Sequence, residues 1–207
     1  MKMIIKTTFE KIGQRCGVLE KLGEGGNGKA FKVLYDKTVA CLKVGKHGKD
    51  QLIEFWREAN IMTQLDGAGG SPEVLAVATD TPAMVTSFVP YPTLMQVIED
   101  GQVTTQRQLL HIVLSVAKRL GQVHQAGFAH CDLKEDNIMV DMDNVETYLI
   151  DFGIATKIGR INRDYVGGTI KSHLRYPWFD PMFWRKGLAT AVTDVYSLGY
   201  MMKEIIK

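Results

Sequence analysis

The sequence predicts an α+β chain of two lobes, a β-rich first part followed by a mainly helical second part. Three observations carry that reading. β-Branched and aromatic residues alternate with polar ones over residues 16–44, around glycine-rich and Tyr35-Asp36-Lys37 turns. Two apolar runs of strand length follow, at 74–77 and 84–89. Beyond the prolines at 90 and 92 the pattern changes to long stretches of helical period. The expected division is 1–89 and 90–207.

In chain order, residues 16–44 read as three strands joined by turns. Residues 50–65 carry Leu52, Ile53, Phe55, Trp56, Ala59, Met62 and Leu65 at helical spacing, and the glycines of 67–72 break that helix. Residues 106–125 form an amphipathic helix with Leu109, Leu110, Ile112, Val113, Val116, Leu120 and Val123 on its apolar side. Short strands at 138–140 and 148–150 flank a turn at 141–144. Residues 153–177 read as a loop, and a last helix runs from about 193 to the end.

Composition excludes several classes. With 45% apolar residues the 207-residue chain can bury a core, which argues against disorder. A net charge of +2 argues against a dedicated nucleic-acid or membrane binder. Cys16, Cys41 and Cys131 match neither a disulfide framework nor a zinc spacing, so a reducing, cytoplasmic setting is expected. No run of about eighteen apolar residues suggests a membrane span, and the N-terminus is too short in apolar residues for a signal peptide.

Three motifs carry chemistry. Leu22-Gly23-Glu24-Gly25-Gly26-Asn27-Gly28-Lys29-Ala30 holds a G-x-G-x-x-G pattern. Glycines admit phosphate oxygens close to backbone N–H groups, but the same string also suits a plain hairpin turn. Its flanks read as strands, unlike a Walker or dinucleotide loop. Lys43 sits inside the apolar run Ala40–Val44, where its charge needs an anion, or else an edge facing solvent. Glu58 on the next helix is a candidate partner. The third motif is His130-Cys131-Asp132-Leu133-Lys134-Glu135-Asp136-Asn137, followed by Asp151-Phe152-Gly153 after a strand. Asp132 can accept a hydroxyl proton, Asn137 and Asp151 offer hard oxygen ligands to Mg²⁺, and Lys134 can neutralise phosphoryl oxygens.

Together these motifs resemble the eukaryotic-type protein kinase superfamily from about Val18 to Gly199, in family order. The resemblance implies a bilobal protein-kinase-like fold, with a reduced helical C-lobe ending after its long buried helix. It implies a serine/threonine protein kinase using ATP and Mg²⁺, with Asp132 as base, Asn137 and Asp151 as metal ligands, and Lys43, paired with Glu58, on the phosphates. It places Thr86 at the gatekeeper position and gives adenine the backbone of Ser87, Phe88 and Val89. Those groups would gather round one triphosphate in the crevice between the lobes. Lys134 points to the serine/threonine class, and Asp194 resembles the anchor of the catalytic loop.

The sequence also departs from that pattern. Cys131 stands where the family commonly has an arginine that reads an activation-loop phosphate, so activity without that phosphorylation is expected. Asp180-Pro181-Met182 is the nearest match to Ala-Pro-Glu, and the chain stops soon after Asp194. That pattern resembles compact viral or bacterial-effector kinases, which would act in host cytoplasm. The last helix is apolar on nearly all sides, so it should be buried, either under the aromatic segment 176–184 or against a regulatory partner or second copy. Lys157, Arg160, Arg163, Lys171, Arg175, Arg185 and Lys186 form a basic stretch, read as a solvated face or a preference for acidic substrates. The expected partner is a protein substrate. A kinase-like scaffold that binds a partner and transfers little phosphate is the competing function.

Overall fold

Alternation along the first strands builds a sheet whose two faces meet different helices. The computed structural model describes residues 5–25, 28–46, 48–167 and 174–205. They fall into two units, residues 1–67 with 72–90, and residues 68–71 with 91–207.

In the first unit, β1 (Ile5–Thr7), β2 (Cys16–Gly25), β3 (Gly28–Tyr35), β4 (Thr38–Val44), β5 (Val74–Ala78) and β6 (Ala83–Ser87) form one sheet in the order β1-β5-β6-β4-β3-β2. The β1–β5 pair is parallel and the others antiparallel. Asp36 and Lys37 both take positive φ, 47° and 66°, which suits the two-residue hairpin closing the Tyr35↔Thr38 pair. Leu42 and Ala40 join the fully buried Ile12 of α1 (Phe9–Arg15) in one apolar cluster with Val33 and Val85. Lys43, the next residue, turns to the other face, where α2 (Lys49–Leu65) lies.

Nothing in the sequence reading anticipated β1 or α1, which are too short for a period to register. They are fixed by contacts: the Thr8 side chain accepts from the Lys11 amide, and the Phe9 amide donates to Asp80 at 2.8 Å. The break at 67–72 is more than a linker. After Asp66 ends α2 in left-handed backbone, Ala68–Gly70 form a 3₁₀ turn of the second unit, where the Gly69 amide donates to Gln122 at 3.1 Å.

The second unit holds α3 (Leu94–Glu99), α4 (Gln106–Gln125), α5 (Pro181–Lys186) and α6 (Ala191–Ile205). Thr105 and Gln108 close α4 with a reciprocal capping box, and Thr93 with Gln96 does the same for α3. Leu110, read as part of the apolar side of α4, is exposed instead. The hairpin β8 (Ile138–Asp141) and β9 (Glu146–Leu149) packs on α4, and Ser115 meets Thr147 at 3.0 Å in the interior.

Residues 153–177 are not one loop. Within them β10 (Thr156–Lys157) pairs with β7 (Phe128–Ala129), and β11 (Ile161–Val166) pairs with β12 (Gly187–Leu188). Gly187 has φ 67°, and a Cβ there would run into the Asn162 carbonyl, so glycine admits this pairing. Tyr165 of β11 stacks on Phe183 at 5.6 Å and lies 5.6 Å from Trp184. The aromatic segment does fold onto α6: Ser197 donates to the Trp178 carbonyl at 2.7 Å. It covers only part of the helix. Thr193, Asp194, Ser197 and Met201 are buried, whereas Val192 and Val195 remain exposed.

Candidate active site

The glycine-rich string folds as a hairpin, with Gly25 paired to Gly28. Gly26 and Asn27 lie outside the described residues. Leu22 and Glu24 are exposed on β2, and Glu24 meets Lys21 at 2.7 Å and Lys29 at 3.8 Å. Gly28 has φ 135°, and a Cβ on it would strike the Val44 carbonyl of β4, whereas Gly23 and Gly25 have open space there. One glycine is thus demanded by the sheet itself; the other two leave their backbone approachable. Ala30 pairs with Lys43 across the β3–β4 ladder, which ties the hairpin to the lysine.

Lys43 Nζ lies 2.9 Å from both carboxylate oxygens of Glu58. The Glu58 side chain is 4% exposed and that of Lys43 20%, and the ammonium stands 5.6 Å over the Phe55 ring. A buried carboxylate of this kind is sustained by its cation. Thr86 is buried opposite Cys41 on β6. Ser87 is tied into the sheet, its amide donating to the Glu73 carbonyl and its hydroxyl accepting from the Glu73 amide. Phe88 and Val89 lie past the end of β6, with Lys32 5.0 Å over the Phe88 ring.

In the second unit the hairpin register organises the rest. Ile138 pairs with Leu149, and the Ile150 amide donates to the Asn137 carbonyl at 3.0 Å, so Asn137 and Asp151 emerge from the same end of β8–β9. Asp151 and Cys131 both hold positive φ, 60° and 67°, unusual backbone for residues with a Cβ. His130 joins their loops. Its Nε2 donates to the Ile150 carbonyl at 3.0 Å, the Asp132 amide donates to its Nδ1 at 3.3 Å, and its ring packs 4.8 Å from that of Phe152. Those two contacts select the tautomer with hydrogen on Nε2.

Asp194 anchors the same loop from α6. It is fully buried and accepts the amides of His130 and Cys131, each at 2.8 Å, and His124 Nε2 at 2.8 Å. Burial, reinforced by Asp194, pushes the Cys131 thiol well up, so it stays a neutral apolar filler.

Asp132 is where the side chains converge. Its Oδ2 accepts from Lys134 at 3.0 Å and from the Asn137 amide nitrogen at 3.1 Å, and that nitrogen also donates to the Asp132 carbonyl at 2.8 Å. With its nitrogen turned to Asp132, Asn137 keeps its amide oxygen as the end suited to a hard cation. Asp132 Oδ1 accepts from the indole of Trp178 at 3.0 Å, a contact that no sequence motif announced.

Comparison with known proteins bears on the family to which the chain belongs. Residues 17–207 match the protein kinase domain family. The chain is 28% identical, over 96% of its length, to Wall-associated receptor kinase-like 10 of Arabidopsis thaliana and also to Cysteine-rich receptor-like protein kinase 42 of the same plant. Wall-associated receptor kinase-like 4 is 26% identical over 99% of the chain. The chain spans 26%, 31% and 28% of those three proteins, so the likeness concerns one part of each. A match covering nearly the whole chain, together with the Lys43–Glu58 pair and the Asp132 loop, makes this chain a member of the eukaryotic-type protein kinase superfamily.

Proposed function

We propose that the chain transfers the γ-phosphoryl group of ATP to serine or threonine hydroxyls of protein substrates. The observation that carries this reading is the Asp132 carboxylate, aligned by Lys134 and Asn137 and backed by a loop that Asp194 holds in place. A general base must be fixed in position before its basicity matters.

The roles divide between the units. In the first, the backbone of Leu22–Gly25 and Gly28–Ala30 would face the phosphates, Lys43 would bind two of them while Glu58 holds it, and Thr86 to Val89 would border the adenine. In the second, Asp132 takes the proton of the acceptor hydroxyl as its oxygen bonds to the γ-phosphorus and the bond from that phosphorus to the β-phosphate oxygen breaks. Lys134, bonded to Asp132, offsets negative charge on the transferring group. The amide oxygen of Asn137 and the carboxylate of Asp151 suit Mg²⁺, which would supply charge neutralisation on the phosphates.

The serine/threonine preference rests on Lys134. Independence from activation-loop phosphorylation rests on two features. Cys131 cannot make the bidentate contact of an arginine, and the β11–β12 pairing with the Tyr165 stack already orders residues 161–166.

The test is phosphate transfer to generic protein substrates and to the chain itself, for wild type and Asp132→Asn, with phosphoamino-acid analysis of the product. Phosphoserine or phosphothreonine, and a loss of about 10²–10⁴ in turnover for the variant, is the expected outcome. Retained activity after phosphatase treatment is expected as well. Nucleotide binding without transfer by wild type would instead support a scaffold.

A further inference from the structure

We infer that Trp178 is a positioning residue for Asp132, its indole N–H fixing the carboxylate so that a single acceptor position faces an incoming hydroxyl. This rests on the proposed role of Asp132 as base. An ionised carboxylate offers about four lone-pair positions. Lys134 and Asn137 take the two on Oδ2, at 3.0 and 3.1 Å, and Trp178 takes one on Oδ1 at 3.0 Å. Among the described residues, that leaves the second position on Oδ1 untaken. Without the indole, Oδ1 could swing or recruit water, and the hydroxyl would meet a less defined acceptor.

Trp178 is built to hold that place. Ser197 of α6 donates to its carbonyl at 2.7 Å, the Tyr176 ring meets it edge-on at 5.7 Å, and Phe179 stacks on it at 5.8 Å. Lys134 Nζ lies 5.7 Å over the same ring, so the indole touches both the base and the lysine bound to it. Asp194, one turn from Ser197 on α6, fixes the backbone just before Asp132. One helix therefore sets the position of the base from both sides, through the main chain and through Trp178.

The deciding variant is Trp178→Phe, which keeps one aromatic ring in place while removing the donor and the indole's second ring. Loss of a hydrogen bond to a charged group predicts a fall in kcat of about tenfold or more, with KM for ATP unchanged and only a small fall in melting temperature. Unchanged kcat would overturn the inference. So would a rise in kcat, which would make Trp178 a mask over Asp132, or a joint collapse of kcat, KM and melting temperature, which would make it packing alone.

A second readout does not need catalysis. The three tryptophans, Trp56, Trp178 and Trp184, give separate indole N–H resonances, and Trp178→Phe assigns the relevant one. Its exchange with solvent should be slow in wild type and faster in Asp132→Ala. Trp56, which donates to the Ala78 carbonyl at 2.8 Å, serves as the unaffected control. An indole indifferent to Asp132→Ala would overturn the inference. If wild type transfers no phosphate while the Trp178 indole still responds to Asp132, the contact stands and the proposed function fails.

Discussion

Lys43 places its ammonium 2.9 Å from each carboxylate oxygen of Glu58, a symmetric pairing inside the first unit made between β4 and α2. Because the Glu58 side chain is 4% exposed, its charge depends on this cation. Lys43→Met should therefore destabilise the fold by about 3 kcal/mol as well as abolish phosphate transfer. Glu58→Gln, which keeps an acceptor and removes the charge, should lose less. The double variant should lose less than the sum of the two, since each single change already removes the same charge–charge attraction. Urea melts of the three proteins measure this, and additive losses would mean that the pair is not coupled.

How much of this was legible beforehand differs from residue to residue. Helix α4 was readable to its ends because Thr105 caps it and its apolar positions recur over twenty residues. The Asp132 and Asp151 loops were readable because their residue types and order are chemically unusual. Leu110 misled because the apolar face of a helix is wider in sequence than the contact it makes. The strand β11 was invisible because its partner, β12, lies more than twenty positions away and is two residues long. Trp178 was invisible for a related reason. Its donor reaches a residue 46 positions earlier, and nothing in a run of aromatic residues says which ring meets a carboxylate.

The glycines of the hairpin separate fold from chemistry. A Cβ at Gly28 meets the Val44 carbonyl and must accept φ 135°, whereas one at Gly25 meets nothing among the described residues. Gly28→Ala should lower the melting temperature and nucleotide affinity together. Gly25→Ala should leave stability within about 1 kcal/mol, the ordinary effect of removing glycine flexibility, and weaken only nucleotide binding. Thermal melts with and without ATP distinguish the two. Undiminished nucleotide binding by Gly25→Ala would mean that this glycine takes no part in holding the phosphates.

Glu135 lies in the same loop as Asp132, beside Lys134, and burial disfavours its charge. Burial raises its carboxyl above the usual range, its own backbone hydrogen bond opposes this, and the charges of Asp136 and Glu204 add to the rise. The sign follows from linkage. A carboxyl with a higher pKa in the folded state favours folding while it is protonated. That advantage is lost as pH climbs through the folded-state value, leaving a cost at neutral pH. Glu135→Gln carries no charge at any pH and escapes the cost. It should melt above wild type at pH 7.5, and the gap should close as pH falls below the ordinary carboxylate range, where the wild-type group is protonated both folded and unfolded. Retained phosphate transfer by the variant would show that this carboxylate takes no part in the chemistry of Asp132. Equal melting temperatures throughout would mean that Glu135 is as well solvated folded as unfolded.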